Sequence, residues 1–173
     1  QPSVKELPAS FASLHQHHWT IMAVDAAQVQ REAFEESPEQ FGPKVAALID
    51  DGLTTSTLKY ATALRHHHEF RQEMLQAMSD SQLLIMPSTP NTAPGPETTG
   101  DAKFNSPWSY CGLPAVTIPC GLDAEGLPVG MQIVGVPNGE SKLLAAAAWC
   151  EQQLGTLAYE QLPAIDRVGG HAN

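Results

Sequence analysis

A basic cluster is absent from this sequence: its 173 residues hold nine Lys and Arg against 19 Asp and Glu, a formal net charge of -10. The few cations are scattered, so no surface is expected to neutralise a phosphate backbone, and nucleic acid is not an expected partner. Cysteine is scarce as well. Cys111, Cys120 and Cys150 are odd in number, show no C-x-x-C spacing and sit in a chain too long to need stapling, which points to reduced thiols and a cytoplasmic location. No stretch approaches the roughly 18 apolar residues of a membrane span, so no membrane partner is expected. The start, "QPSVKELPASF", has neither the basic opening nor the apolar core of a signal peptide, and no initiator Met. The expectation is a chain that begins inside a longer polypeptide.

What is present is a globular composition, 42% hydrophobic and 16% charged, at a length suited to one domain with its own core. From Ala12 to Glu36 no Gly or Pro interrupts the chain, and Leu14, Ile21, Val24, Ala27 and Phe34 recur at helical spacing. One long helix is predicted, stopping at "ESPEQFGP". A short helix, "KVAALIDDG", is expected to end on Gly52 in a left-handed conformation. The next runs to about Ser79, capped by Thr54, Thr55 or Ser56. At about 100° per residue its core arc holds Ala61, Leu64, His67, His68, Met74, Leu75 and Met78, with Thr62, His66, Glu69 and Glu73 facing away.

"QLLIMP", residues 82–87, reads as a strand buried on both faces. The stretch 87–107 is rich in Pro, Gly and Thr, without period, and reads as a long loop; loops of that length usually bind something or are disordered. "AVTIPC" and "PVGMQIVG" flank the turn signal "GLDAEGLP" and read as a strand and its return, with Pro119 and Pro128 at strand boundaries. "NGESKLLAAAAWCEQQLG" is a last helix, capped by Asn138 or Ser141 and closed by Gly155. The tail beyond has no period. The class is α/β, and so few apolar strands imply that part of the sheet lies outside this chain.

"LLIMPSTPNTAP", "SPWSYCGLPAVTIPCGLDAEGLPVGMQIVG" and "ESKLLAAAAWCEQQLG" occur in an order and spacing that resemble the C-terminal region of the amidase-signature family; "HWTIMAVDAA" looks like the same family upstream. The resemblance covers most of the chain and is strongest over its second half. It implies a segment of an α/β/α sandwich around a mixed sheet, with residues 1–173 the C-terminal segment of a single domain. It also implies amide hydrolysis by two serines and a lysine, with backbone amides of a glycine-rich loop holding the tetrahedral intermediate. The family's Lys motif and Gly/Ser-rich segment have no counterpart here. Lys5, Lys44, Lys59, Lys103 and Lys142 stand in no glycine- or serine-rich context, so no catalytic residue carries over and no cofactor is expected.

By the same resemblance the long loop and the turn before "GLPA" lie beside the substrate acyl group, making Thr89, Phe104, Trp108, Tyr110 and Cys111 the candidate pocket residues; Phe104 and Trp108 have an alternative role as anchors of the loop. Ser109 stands where the family often has Asn. Ala102 stands where the amidase-like component of the related tRNA-dependent amidotransferases has an aspartate, with Asp101 one residue off, which favours a stand-alone amidase.

"HQHH" at 15–18 and "HHH" at 66–68 hold common zinc ligands, but adjacent helical residues diverge by about 100°, so a structural role is expected and no metal site. Glu35/Glu36 and Asp50/Asp51 read as solvated helix ends. Cys120 and Cys150 read as small core residues, and Cys111 as no nucleophile. The expected partners are a small-molecule amide substrate, the missing N-terminal catalytic half and, as an option, a second copy in a homodimer. A non-catalytic binding or scaffold subunit is the alternative from another class.

Overall fold

The computed structural model describes residues 3–81 and 83–155. The chain divides into two units: residues up to 81 with Ser106–Leu113, and Leu83–Asn105 with the residues from Pro114 on.

The first unit is helical. After a 3-10 turn at Ala9–Ser13, α1 spans Leu14–Glu36, α2 Pro43–Thr54, α3 Thr57–Ala77 and α4 Ser106–Cys111. Pro43 occupies the first turn of α2, where its missing N–H costs nothing and its φ is already helical. Ser56 caps α3, its Oγ accepting from Lys59 N at 3.2 Å. The hydroxyls of Thr54 and Thr55 instead donate back to carbonyls of the last turn of α2, Asp50 and Asp51.

Two expectations are corrected here. Helix α2 does not end on Gly52: it runs on to Thr54, and Gly52 is buried. A Cβ at Gly52 would stand 2.0 Å from the Ala23 carbonyl oxygen and 2.7 Å from Ala27 Cβ, so this glycine and the two buried alanines of α1 let the helices approach backbone to backbone. On α3 the core stripe is Ala63, Phe70 and Met74, rotated from the predicted arc. Leu64 is 42% exposed, His68 is exposed, and His66 turns inward. The ring of Phe70, wholly buried, lies 5.8 Å from Phe11 and 5.6 Å from Tyr110. Burying a ring of this size is worth about 1.5–3 kcal/mol.

Helix α4 falls within sequence read as loop and turn. It stops in a Schellman arrangement: Leu113 N donates to Trp108 O at 2.9 Å, Gly112 N to Ser109 O at 3.2 Å, and Gly112 takes φ +65°. The Arg71 guanidinium donates to the carbonyl of Cys111, covering another free acceptor of that end.

The second unit is a three-stranded antiparallel sheet, order β1-β3-β2, with β1 at Leu83–Pro87, β2 at Ala115–Leu122 and β3 at Pro128–Gly135, followed by α5 at Glu140–Leu154. Helices and sheet together bear out the α/β class, though these three strands run only antiparallel. Side chains alternate between faces. Ile118 of β2 and Ile133 of β3 meet Leu143 and Ala147 of α5, with Val116 and Met131 packed around them.

β1 is not buried on both faces. It is an outer strand among those described, and Ile85 is 58% exposed. Pro119 is not a boundary either: β2 continues through it to Leu122, with a register shift between Pro119 and Gly121. A proline is tolerated there because an outer strand at a bulge has no ladder bond to lose. Pro128 does begin β3. The connecting turn is built by Asp123, whose Oδ1 accepts from Glu125 N at 2.9 Å and Leu127 N at 2.8 Å, with Gly126 at φ +84°. α5 has no side-chain cap from Asn138 or Ser141; the Gly139 carbonyl accepts from Leu143 N, and Gly155 closes the helix. The periodless tail lies outside the described residues.

Candidate functional site

The sheet face turned away from α5 carries Thr117, Gly130 and Gln132, in register across β2 and β3. Between this face and the irregular segment from Ser88 to Asp101 lies a cleft of about 620 Å³, lined among others by Ser88, Thr89, Asp101, Asn105, Thr117 and Gly130. Gly130 keeps its floor open and the strands close, since a Cβ there would sit 2.5 Å from Ser88 Oγ and 2.8 Å from Thr117 Cγ2. Ser88 N donates to the Gly130 carbonyl at 3.0 Å, which extends the β1–β3 ladder into the start of the loop.

Polar ties shape the loop. Thr89 Oγ1 donates to Asn91 O at 2.6 Å, Gly100 N to Thr98 Oγ1 at 3.2 Å, and Lys103 N to Asp101 Oδ1 at 2.8 Å, where a 3-10 turn at Ala102–Phe104 begins. At its far end Gln132 Nε2 donates to Asn105 Oδ1 at 2.7 Å. The Leu127 amide holds the Asp123 carboxyl below the usual carboxylate range, with the Thr92 hydroxyl and two further turn amides adding to it. The cleft lining offers hydroxyls, the side-chain amides of Asn91 and Asn105 and one carboxylate, Asp101. This unit contributes no histidine among the described residues. The arrangement can bind and orient a small molecule, whereas an activated nucleophile needs an adjacent base.

The structure divides the five residues expected at a pocket between the two units. Thr89 lines the cleft, and Phe104, half-buried, stands beside its rim residues Ala102 and Asn105 in sequence. Trp108, Tyr110 and Cys111 are buried in the helical unit. The Trp108 ring lies 6.5 Å from Phe11, and its Nε1 is buried without a partner among the described residues. Tyr110 Oη donates to Ala63 O at 3.3 Å and lies 2.9 Å from His66 Nδ1; burial raises its pKa. Burial pushes the Cys111 thiol up to about 11, opposite to the shift that activates a cysteine. Cys120, expected in the core, is exposed because it sits at the bulge of β2, where its Sγ lies 3.4 Å from Val129 O.

His18, His66 and His67 gather around Tyr110. His17 of α1 stacks on His66 of α3, His18 and His67 approach the Tyr110 ring at 5.3 and 5.0 Å, and His15 Nδ1 lies 3.1 Å from Ser106 Oγ. Among the described residues no three His, Cys, Asp or Glu converge as a metal ion would require. Sequence reasoning passed over Ser88, Asn105, Thr117, Gly130 and Gln132. Gln132 did carry a signal, as an uncharged polar residue inside an apolar strand that it could enter only with a partner.

A family model described as Amidase matches residues 3–144. Proteins carrying the amidase name AmiD in Mycobacterium tuberculosis and Mycobacterium bovis are 26% identical over 108 residues, covering 56% of this chain and 23% of theirs. A crystal structure of an amidase is similar at 28% identity and a TM-score of 0.78, covering 87% of this chain and 37% of that one. A structure bearing on the evolutionary origins of an s-triazine catabolic enzyme, from a complex described as vestigial, shares the fold at 23% identity and a TM-score of 0.76, over 86% of this chain and 35% of that one. The chain therefore spans about a quarter of the length of the curated relatives it matches and just over a third of these structures.

Proposed function

Because the chain belongs to the amidase family, we propose that it is the C-terminal part of an enzyme that hydrolyses a carboxylic amide to an acid and ammonia or an amine. In this reading it supplies sheet core and one wall of the substrate pocket, and the nucleophile and base belong to a preceding catalytic half. The observation that carries the reading is the cleft on the free face of the sheet, roomy enough for a small molecule and lined by groups that bind rather than attack. Thr89 faces this cleft. The burial of Trp108, Tyr110 and Cys111 favours a packing role, with their backbone leading into "GLPA". β1 and β2 are the outer strands among those described, and an unpaired strand edge with an exposed Ile85 supports further pairing with the missing half.

No helix among the described residues is long and apolar enough to cross a membrane. A cytoplasmic location and a homodimeric parent enzyme remain part of the proposal. The test is ammonia release from benzamide and acetamide. The 173-residue chain alone is expected to give none, and a polypeptide extended by its Gly/Ser-rich catalytic half is expected to give turnover. Turnover by the short chain, abolished by a serine-directed inhibitor, would overturn the division of labour. Stable co-purification of the short chain with a separately encoded Gly/Ser-rich partner would favour a two-chain assembly over a covalently continuous enzyme.

A further inference from the structure

The turn Val136, Pro137, Asn138, Gly139 joins β3 to α5, and Gly139 N donates to Val136 O at 3.0 Å. Asn138 is exposed, and it is the non-glycine residue with a positive φ among the described residues, +58°. Proline second and a left-handed residue third fit a type II turn, whose third place suits Gly or Asn. Gly139 is required for a separate reason: a Cβ there would stand 2.8 Å from the Val136 carbonyl oxygen. The fold thus demands two permissive residues in succession, and the sequence meets the demand with Asn-Gly.

That pair carries a reaction of its own. The amide nitrogen that follows an asparagine can attack its carboxamide, and a glycine leaves the approach unhindered. Asn91 and Asn105 precede Thr92 and Ser106, whose side chains crowd the same approach. In the closed turn Gly139 N is spent on Val136 O, so attack needs the turn to open. Little holds it shut, since α5 has no side-chain cap and Asn138 faces solvent.

We propose that Asn138–Gly139 is a site of spontaneous isoaspartate formation, gated by its turn, and that conversion unseats the start of α5. Gly139 N bonds to Asn138 Cγ and passes its proton through water to Nδ2; the Cγ–Nδ2 bond breaks, ammonia leaves and a cyclic imide remains. Water then opens the ring, at Cγ to give aspartate or at the main-chain carbonyl to give isoaspartate. The sum is one water in and one ammonia out, with no oxidant or reductant. Isoaspartate adds a methylene to the backbone between Val136 O and Gly139 N, so the bond that closes the turn loses its register. The Gly139 carbonyl, which accepts from Leu143 N at 2.9 Å, moves with it. Leu143 packs with Ile118 and Ile133, so the change reaches the contact between α5 and the sheet.

The experiment incubates the 173-residue chain at pH 8, native and in guanidinium, and then cleaves it after glutamate. Residues 126–140 form one peptide, with Asn138 as its asparagine. Conversion raises its mass by about one dalton, and isoaspartyl methyltransferase with labelled S-adenosylmethionine counts the isoaspartate. In the native chain this peptide is expected to convert ahead of those holding Asn91 and Asn105, yet about tenfold more slowly than in guanidinium, because only open turns react. Pro137→Ala frees φ at the second place of the turn and should raise the native rate while leaving the guanidinium rate unchanged. Asn138→Gly keeps the left-handed turn, removes the carboxamide and should abolish the mass change with melting unchanged. In the converted chain the Leu143 amide is expected to exchange its hydrogen faster. A native rate equal to that in guanidinium would overturn the gating, and conversion of Asn91 or Asn105 ahead of Asn138 would overturn the site. Leu143 exchange unaltered by conversion would overturn the effect on α5.

Discussion

The imidazole of His17 on α1 stacks on that of His66 on α3, with ring centroids 4.1 Å apart and planes inclined by 27°. Burial first, and then the His66 charge, lower the pKa of His17; burial first, and then His15 and His67, lower that of His18. His66 is held by Tyr110 Oη, Ser10 O and Ser13 Oγ. No carboxylate is among the groups that shift His17 or His18, so a proton gained there finds like charges around it.

The pH dependence follows from the sign of those shifts. Both histidines titrate lower in the folded chain than the ordinary 6.5, so below that value the unfolded chain binds more protons. Their stabilisation is full above about pH 6.5 and is lost as pH falls through the unfolded and then the folded pKa. The melting temperature is expected to drop from pH 7 to pH 5, and His17→Gln to flatten that slope. A parent profile level across this range would remove the cluster's role.

Gly52→Ala tests the contact between α1 and α2. Alanine is the better helix former by about 1 kcal/mol. The new Cβ would, however, meet the Ala23 carbonyl at 2.0 Å, a backbone atom that cannot rotate away, and overpacking costs about 1–3 kcal/mol. The urea midpoint is expected to fall. Gly121→Ala, where a Cβ meets nothing within 4 Å, should stay near the parent value.

Thiol labelling separates the three cysteines. Cys120 is exposed, Cys150 half-buried, and Cys111 buried with its thiol raised to about 11. Iodoacetamide at pH 8 is expected to modify Cys120 first and Cys111 only when urea unfolds the helical unit, as read by peptide mass. Rapid modification of Cys111 in the native chain would show that its thiol is open to solvent.

Much of the fold was legible because its signals are local. Ser56 supplies an acceptor three residues ahead of a free amide, Asp123 and Gly126 build their turn within five residues, and an apolar run ending at proline marks β1. The stop of α4 was written in "CGLP" too, since Gly112 with Pro114 just beyond is a helix terminator. The Pro- and Thr-rich sequence ahead of it concealed the helix, which has only six residues. The motifs resembling the amidase-signature family also lie in plain sequence, and the match over residues 3–144 agrees with them.

Facing and pairing were decided by residues far away in the chain. Gly52 has the form of a helix terminator, and its use as a contact exists only once Ala23 arrives from α1. His66 turns inward because Tyr110, 44 residues on, receives it, while His68 is left to solvent. Asn105 meets its hydrogen-bond partner only in Gln132, 27 residues later. A cap or a turn closes its hydrogen bonds within a few residues and so is set by sequence alone. A buried face or a cleft is set by which surfaces meet, and that depends on packing between elements that no local window contains.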